Sequence, residues 1–426
     1  MTLGLFLYRI VTTLVTPFLG VIFRRRVKAG KAAPGRMNER LARSLHPRPD
    51  GPLLWLHAAS VGESQLLLEL VRRLSRDART PFTVLFTCQT KTAADLVADA
   101  IQTDPGLQNV KAIQQMAPFD GAGIANRFLD HWQPDAAIFA EGEFWPHLLL
   151  GLQSRAIPAA LINARMTENS IKGWMRWRQT ARHVFSSFDL LISADLQTKT
   201  GLEALSGKAV SNPGNLKSAL AAPSVDETEL TALRNSIGER PILLAASTHT
   251  GEEALVLDAY MKLPEQSFLI IAPRHPDRGD EVDRLLSCTR YAISRRSEND
   301  PVTETTQILL ADTMGEMGLW YRLADWVYLG GGHTPGVGGH NPLEALRLEK
   351  PVLTGPSLFN FHDLSESLKP YDGFSIVEDS EGLANALPAP AVSDALLTKL
   401  EQDAVGPMTR TLNELSPLIA KAGVAI

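Results

Sequence analysis

The sequence contains very little cysteine. Cys88 and Cys288 are the only two in 426 residues, and they are far apart in the chain. Neither has the Cys/His spacing of a zinc site around it, so the pattern argues against a structural metal and for a reducing compartment. We expect each cysteine to be a small buried apolar residue rather than a nucleophile.

Two signatures of nucleotide-binding sites are also missing. Neither G-x-G-x-x-G after a first strand nor G-x-x-x-x-G-K-[ST] occurs, so a classical dinucleotide site or P-loop is not supported. Short-period repeats and low-complexity tracts are absent as well. With 44% hydrophobic and 21% charged residues, the composition is that of a folded globular protein. The length favours two or three domains, with two related halves as the simplest arrangement.

Acidic residues are scarce at the start of the chain. Residues 1–50 contain ten Lys or Arg against Glu39 and Asp50, a net charge of +8 (10 minus 2), whereas the whole chain carries -5. The run from Leu3 to Phe23 has a single charge and is long enough to span a bilayer. The basic cluster that follows predicts that the rest of the chain lies on the cytoplasmic side of the cell inner membrane.

A second arrangement of this helix fits one of its features better, and the sequence leaves the choice between the two arrangements open. Arg9, Thr12, Thr13 and Thr16 would form one polar stripe, as in a helix that lies in the membrane interface. A soluble helix packed on the main body is the third alternative. In the two membrane arrangements the basic residues would attract anionic lipid or a phosphorylated substrate. We therefore expect a membrane-surface partner and no nucleic-acid partner.

After residue 50, short apolar runs alternate with helical patterns. Runs of Val, Ile, Leu and Phe without clean alternation are typical of parallel strands buried on both faces. The fold class is therefore α/β, with two doubly wound Rossmann-like domains. The predicted strands are PLLWLH, PFTVLFT, DAAIFAE, PAALINA and DLLISA in the first half, and PILLAAS, SFLIIAP, TQILLAD, WVYLGG, PVLTG and FSIVED in the second.

The stretch SNPGNLKSALAAPS, residues 211–224, interrupts this alternation and marks the domain boundary. We predict an anchor helix and basic segment at 1–30, a first domain at 31–220 and a second at 221–426. The helical end of the chain, from about Ser393, is expected to cross back to the first domain. Ligands of such sheets bind beyond the carboxyl ends of the strands, so residues there are the functional candidates.

Three candidates combine a helix start with a glutamate. Ser60 and Glu63 have the S-x-x-E spacing of a capping box, and Thr313 with Glu316 and Asn341 with Glu344 repeat it. Each pair can be explained by helix capping alone. Each also lies at a predicted strand-to-helix junction, where free N–H groups can bind anions or polar ligands.

Other polar groups follow predicted strands. Glu141 and Glu143 come directly after an apolar strand, where a buried carboxylate needs a partner. Arg274 is suited to bind phosphate, and the glycine-rich residues 330–339 could form an anion-binding nest. A surface salt bridge and a flexible loop are the structural alternatives. Lys217 lies at the domain boundary, where it faces either a ligand charge or solvent.

These motifs, taken together, closely resemble the Kdo transferases of lipid A biosynthesis. The resemblance implies a GT-B glycosyltransferase fold, with an acceptor-binding first domain and a donor-binding second domain that face each other across a cleft. It implies inverting transfer of Kdo (3-deoxy-D-manno-oct-2-ulosonic acid) from CMP-Kdo to a tetraacylated, bisphosphorylated lipid A precursor, without a required metal. The motifs run in order as HAASVGE, FAEGEFWP, LINARMTENS, GNLK, STHTGEE, PRHPDR, DTMGEM and GGHNPLEAL.

The resemblance also assigns roles to individual residues. Glu63 is implied as the general base, and Glu141 and Lys217 are implied to stabilise the transition state. The residues implied to contact CMP are Pro273, Arg274, Met314, Gly315, Glu316, Asn341, Pro342, Leu343 and Glu344. The alternatives are a GT-B enzyme for another nucleotide sugar, a sugar-nucleotide epimerase of the same architecture, and a non-catalytic sugar-nucleotide sensor at the membrane.

Overall fold

Two all-parallel β-sheets, each between helices, form the cores of the protein. The computed structural model describes residues 2–28, 33–108, 110–219, 225–264 and 266–425. The end of the predicted basic segment and the second part of the predicted boundary, residues 220–224, lie outside them. The chain divides into two compact units, residues 1–220 with 403–426 and residues 221–402.

The first unit is built on a six-stranded sheet with the order β3-β2-β1-β4-β5-β6. Alternate residues of its central strand enter different cores, Leu54 and Leu56 on one face and Leu53 and Trp55 on the other. The strands are β1 (Leu53–Ala58), β2 (Thr83–Cys88), β3 (Lys111–Met116), β4 (Ala136–Ala140), β5 (Ala159–Ala164) and β6 (Leu190–Ser193).

Helices precede and connect these strands. Most follow a strand directly and return the chain to the start of the next one, as the parallel order requires. They are α1 (Leu3–Val15), α2 (Leu19–Lys28), α3 (Met37–Arg40), α4 (Val61–Asp77), α5 (Lys91–Thr103), α6 (Ala122–Trp132), α7 (Pro146–Ser154), α8 (Glu168–Met175), α9 (Arg178–Phe185) and α10 (Leu196–Ser206), with 3-10 turns at Thr16–Phe18, Pro105–Leu107 and Leu216–Ala219.

The second unit has a seven-stranded sheet with the order β13-β12-β11-β7-β8-β10-β9. Its strands are β7 (Ile242–Thr248), β8 (Phe268–Pro273), β9 (Ile293–Arg295), β10 (Ile308–Leu310), β11 (Trp326–Leu329), β12 (Val352–Thr354) and β13 (Phe374–Ile376). Its helices are α11 (Glu227–Ile237), α12 (Glu252–Tyr260), α13 (Gly279–Ser287), α14 (Met317–Leu323), α15 (Leu343–Leu346), α16 (His362–Leu368), α17 (Ser380–Asn385) and the start of α18 (Asp394–Lys421), with a 3-10 turn at Pro276–Arg278.

Each sheet contains one point where the strand order reverses direction. In the first sheet it lies between β1 and β4, and in the second between β7 and β11. Loops from neighbouring strands leave in opposite directions at such a point and open a crevice at the carboxyl ends of the strands. The residues that follow β1, β4, β7 and β11 are therefore positioned to contact ligands.

The last helix contributes to both units. Leu396 and Leu400 near its start belong to a core of the second unit, whereas Met408, Leu415 and Ile419 pack in a core of the first. Glu414 accepts a hydrogen bond from the Ser211 hydroxyl at 2.6 Å. The chain thus returns to the first unit through α18.

The N-terminal helix α1 packs its polar side on the first unit. The Tyr8 hydroxyl donates to Asp120 at 2.8 Å, and the Thr12 hydroxyl lies 3.0 Å from His147 Nε2. Arg9 and Thr13, the other members of the predicted polar stripe, are exposed and not part of this contact. The outward side of α1 is apolar, with exposed side chains at Leu3, Phe6, Leu7, Ile10, Val11, Leu14 and Val15, and the exposed apolar residues continue with Phe18 in the next turn and Val21 and Ile22 in α2. By length and composition, Leu3–Arg25 could cross a membrane.

The two cysteines differ in environment. Cys88 at the end of β2 is buried, as predicted, and burial raises the pKa of its thiol to about 11. Cys288 is exposed, so the prediction that it is buried is wrong. It directly follows α13, whose apolar positions Val282 and Leu286 pack inward instead.

Candidate active site

Glu63 lies in the first turn of α4, directly after β1. Ser60 caps this helix, since its Oγ accepts the Glu63 N–H at 3.3 Å. The Glu63 carboxylate turns back and accepts the Ala59 N–H at 2.7 Å and the Ser60 hydroxyl at 2.8 Å. In a standard capping box the glutamate would accept the N–H of the capping residue, Ser60. Here Glu63 accepts the N–H of the preceding residue, Ala59, instead. The helix start thereby holds the carboxylate in one orientation.

The acidity of Glu63 is changed by its surroundings. The residue is 7% exposed. Burial raises its pKa above the ordinary glutamate value and outweighs the hydrogen bonds from Ala59 and Ser60, which lower it. The charges of Glu141 and Glu143 raise the pKa further. A carboxylate with a raised pKa is a stronger base, so Glu63 is suited to accept a proton.

Glu141 and Lys217 lie at the same edge of the first sheet as Glu63. Glu141 follows β4, the neighbour of β1 at the switch point, and its Oε1 is 2.7 Å from Lys217 Nζ. Lys217 also borders the start of α4, because a Cβ built on Gly62 would be 3.4 Å from its Nζ. The structure therefore brings together the three residues predicted to be catalytic.

Asn163, at the end of β5, is a site residue that the sequence analysis did not single out. It is fully buried, and its Nδ2 donates to Glu141 Oε1 at 3.1 Å while its Oδ1 accepts the Leu216 N–H at 2.8 Å. Asn163 and Glu141 both adopt positive φ, 50° and 56°, a conformation that costs energy in residues other than glycine. Asn163 therefore ties Glu141 to the loop that carries Lys217.

Glu143 faces a different environment from Glu141. Its Oε2 accepts a hydrogen bond from the Trp145 indole at 2.6 Å and lies 3.1 Å from Nε2 of His57, a buried residue of β1. Burial opposes ionisation of Glu143, but the bonds to His57 and Trp145 hold its pKa below the ordinary value. The two carboxylates after β4 therefore have different partners. Glu141 pairs with Lys217, whereas Glu143 bonds to His57 and Trp145 and so fixes the turn to the sheet.

In the second unit, β8 ends at Pro273 and is followed by the exposed side chain of Arg274. Among the described residues, no carboxylate lies within ion-pair distance of the Arg274 guanidinium. Arg278, by contrast, pairs at 2.7 Å with the buried carboxylate of Glu253. Of these two arginines, Arg274 is therefore the one available to an external anion.

Part of the glycine-rich residues 330–339 binds a carboxylate of the protein itself. Glu252, buried at the start of α12, accepts the Gly331 N–H at 2.8 Å and the His333 N–H at 3.0 Å. A Cβ built on Gly330 would lie 2.7 Å from Glu252 Oε2. At these two N–H groups an internal carboxylate occupies the place that a ligand anion would take in the predicted nest.

Two histidines meet at the switch point of the second sheet. His249 follows β7 and His340 follows the glycine-rich residues, with their Nε2 atoms 2.8 Å apart. One ring must donate this hydrogen bond and the other must accept it, and burial lowers both pKa values, that of His340 to about 4. The pair is therefore uncharged near neutral pH, and Arg274 beside it carries the positive charge. In the part of the chain that the structure describes, no group of three or more His, Cys, Asp or Glu side chains is arranged so that it could hold a metal ion.

Other residues predicted to bind the nucleotide follow β10. Met314 and Gly315 are exposed, and Gly315 has a φ of 88°. Glu316 is paired with Arg296 at 2.6 Å. Burial opposes its ionisation, but Arg296 and the Thr313 hydroxyl, which also bonds to it, hold its pKa below the ordinary value. A nucleotide group would have to compete with Arg296 for this carboxylate.

The capping interpretation holds at one of these helix starts and fails at the other. Helix α14 begins at Met317 with Glu316 as its N-cap, so Thr313 and Glu316 do not form the expected capping box. The positive φ of Gly315 stops the helical geometry from starting earlier. Before α15, the Asn341 side chain accepts the Leu343 N–H at 3.2 Å, as a cap would. Next to it, Pro342 and Leu343 are buried and Glu344 is half-buried.

Comparison with known sequences gives consistent matches over most of the chain. Residues 35–220 match the family described as 3-deoxy-D-manno-octulosonic-acid transferase (kdotransferase). The probable mitochondrial 3-deoxy-D-manno-octulosonic acid transferase of Arabidopsis thaliana is 30% identical, over 90% of this chain and 87% of its own length. The 3-deoxy-D-manno-octulosonic acid transferase of Haemophilus influenzae is 31% identical, over 84% and 82%.

Comparison with solved structures shows the fold. A glycosyltransferase from Rickettsia africae matches 87% of this chain and 99% of its own, with a TM-score of 0.57 and 12% identity. A UDP-GlcNAc 2-epimerase from Neisseria meningitidis matches 87% and 100%, with a TM-score of 0.54 and 14% identity. With its two doubly wound parallel sheets, the chain has a GT-B fold.

Proposed function

Because the chain belongs to the 3-deoxy-D-manno-octulosonic acid transferase family, we propose that it transfers Kdo from CMP-Kdo to a hydroxyl of the tetraacylated, bisphosphorylated disaccharide precursor of lipid A. The proposed reaction inverts the anomeric centre and requires no metal. The observation that carries the proposal is the grouping of Glu63, Glu141 and Lys217 at the switch point of the first sheet. Membership of a transferase family sets aside the epimerase alternative.

In this proposal Glu63 is the general base. The acceptor hydroxyl gives its proton to the Glu63 carboxylate while its oxygen bonds to the anomeric carbon of Kdo. The bond from that carbon to the CMP phosphate breaks, and its electron pair leaves with CMP. Lys217, held by Glu141, supplies positive charge near the Kdo carboxylate as the transition state forms.

The groups proposed to bind CMP lie at the carboxyl edge of the second sheet. Arg274 would pair with the phosphate, where negative charge accumulates as CMP leaves. Met314 to Glu316 and Asn341 to Glu344 would contact the remainder of the nucleotide. The uncharged pair of His249 and His340 leaves Arg274 as the local cation, so removal of Arg274 should affect the donor most strongly.

We also propose that the first unit works at the cytoplasmic side of the cell inner membrane. The apolar outward side of α1 is the basis for this, since its polar side is already bonded to Asp120 and His147. A helix with one face on the protein and an apolar face outward is suited to lie in the interface. The lipid acceptor would be taken from the same surface.

The transfer itself can be tested by mass spectrometry. Purified protein is incubated with CMP-Kdo and the tetraacylated disaccharide bisphosphate, and the lipid product should gain the mass of Kdo with release of CMP. Parallel reactions with UDP-sugars and with Glu63→Gln serve as controls. A lipid of unchanged mass, or one that gains mass only with a UDP-sugar, would refute the proposed function.

A kinetic prediction concerns Asn163. Asn163→Gly should lower kcat by about 10- to 100-fold, because a hydrogen bond to a charged group is worth about 1.5–3 kcal/mol. Glycine tolerates the positive φ at this position, so the change tests the amide rather than the backbone. The affinity for CMP, measured by calorimetry, should not change.

A second variant at this position separates positioning from folding. Asn163→Asp keeps an acceptor for the Leu216 N–H but puts a second carboxylate beside Glu141. The acid limb of its pH–rate profile should move to higher pH, because neighbouring like charges raise a carboxylate pKa. Wild-type kcat in both variants would exclude a positioning role for Asn163.

A further inference from the structure

An apolar groove runs between α1 and the helices behind it in the first unit. Its volume is about 470 Å³, within the range of small-molecule sites. Helix α1 contributes Leu7 and Val11 to its walls, and Trp174 and Trp177 line it near the junction of α8 and α9. The groove is thus open along the apolar outward side of α1, since Leu7, Val11 and Trp177 are all exposed.

The walls of the groove are held in place by internal contacts. The Thr2 and Thr180 hydroxyls are 2.7 Å apart, and the Tyr8 hydroxyl bonds to Asp120, which also accepts two N–H groups at the start of α7. Trp174 packs edge-on against Phe185 with ring centroids 5.1 Å apart. These contacts hold α1 and α8 apart, so the groove is a fixed part of the structure of the first unit.

Part of the space exists because residue 173 has no side chain. Gly173 lines the groove in the last turn of α8, and a Cβ built on it would meet nothing within 4 Å. Glycine inside a helix costs about 1 kcal/mol relative to alanine, and here no positive φ requires it. Its open surroundings leave room for a ligand at this point.

We propose that this groove binds one fatty acyl chain of the phosphorylated lipid acceptor. The inference rests on the proposed function, which supplies an acceptor with acyl chains and phosphates. The lining is mostly apolar and opens on the surface proposed to face the membrane. Trp177 at the rim stands between Arg176 and Arg178 in the sequence, and both arginines are exposed. An acyl chain in the groove would place the phosphorylated headgroup of the same lipid at this rim, where the two cationic side chains can attract it.

The groove can be filled without disturbing the fold. Gly173→Leu adds a side chain into the open space and improves helix propensity, so thermal stability should be equal or higher. We expect its KM for the tetraacylated acceptor to rise by about 10- to 100-fold, since each methylene kept out of an apolar site lowers affinity about fourfold. Gly173→Ala should have a smaller effect.

Gly20→Leu is the matched control. Gly20 is also a helical glycine with nothing within 4 Å of a built Cβ, but it lies in α2 outside the groove. The Gly20→Leu variant should have the same KM for the tetraacylated acceptor as the wild type. CMP affinity should be the same in all three variants as in the wild type.

Acceptor binding is also measured without CMP-Kdo, by titrating the tetraacylated disaccharide bisphosphate in detergent at fixed micelle concentration. Weaker binding to Gly173→Leu alone supports the groove. Equal binding and equal KM in Gly173→Leu and the wild type would overturn it. If the wild type binds the acceptor but transfers nothing, the proposed function fails while the groove assignment stands.

Discussion

Glu63→Gln is expected to lower kcat by about 100- to 10,000-fold, the usual contribution of a positioned general base. Glutamine has nearly the same shape and can still accept one of the two hydrogen bonds from Ala59 and Ser60. It cannot accept the proton of the acceptor hydroxyl. Affinity for CMP, measured by calorimetry, should stay at the wild-type value, because the proposed nucleotide contacts lie in the other unit.

Two control variants separate the base from the helix cap. Ser60→Ala removes the cap and should cost about 1 kcal/mol of stability, and it also removes one of the two hydrogen bonds to the Glu63 carboxylate. Because the Ala59 N–H still holds the carboxylate, the loss of activity should be much smaller than in Glu63→Gln. Glu69→Gln makes the same chemical change on the same helix, where it loses only pairs with Arg72 and Arg73 near the surface. Turnover by Glu63→Gln close to that of Glu69→Gln would remove Glu63 from the base role.

Arg274→Gln is expected to lower kcat/KM by about 100- to 1,000-fold, the range seen when a charge-stabilising donor is removed from a transition state. CMP should also bind more weakly, and more so than cytidine, which lacks the phosphate. Thermal stability should not change, since the side chain is exposed and has no carboxylate partner among the described residues. Calorimetry with CMP and cytidine, together with a melting curve, checks all three outcomes.

Arg278→Gln provides the contrast, because it is the other arginine of the same turn. Loss of Arg278 leaves the buried carboxylate of Glu253 without its cation, and breaking such a pair costs about 3 kcal/mol or more. We therefore expect a lower melting temperature with CMP affinity retained in the folded fraction. If Arg278→Gln weakened CMP binding as much as Arg274→Gln, the assignment of the phosphate to Arg274 would be wrong.

The strands that the sequence did not predict share one property. Eleven predicted strands are confirmed, but β3 and β9 were missed, and both are edge strands of their sheets. An edge strand has one sheet neighbour and is less fully covered, and most of β3 is partly exposed. Its sequence KAIQQM accordingly lacks the apolar run that marks the central strands. The other two edge strands, β6 and β13, were predicted because DLLISA and FSIVED keep short apolar runs, so the apolar run rather than the place in the sheet makes a strand visible in a sequence.

Helix ends and loops were harder to predict than the sheets. The pattern SIKGWMRWRQTARHVF indicates one helix, but the chain breaks between α8 and α9 and places Trp177 on the groove. Neither Gly nor Pro lies at the break itself, residues 176–177, and Gly173 is inside α8. The partner of a buried carboxylate is equally hidden, since Glu252 reaches groups about 80 residues away.

The candidate site was predictable to the extent that its residues follow strands. Glu63, Glu141 and Arg274 each stand directly beyond an apolar run, and the resemblance to a family assigned their roles. Asn163 occupies a similar position at the end of β5, but an asparagine at a strand end is as often a cap or turn residue. Its function depends on two hydrogen bonds to residues distant in sequence, which only the fold brings within reach.

The pH dependence of kcat/KM tests the role of Glu63 most directly. Protonated Glu63 cannot accept the acceptor's proton, and burial raises its pKa, so the rate should fall with decreasing pH through a value above that of an ordinary glutamate. The residual rate of Glu63→Gln should lack this acid limb. The same acid limb in Glu63→Gln as in the wild type would contradict the assignment of Glu63 as the base.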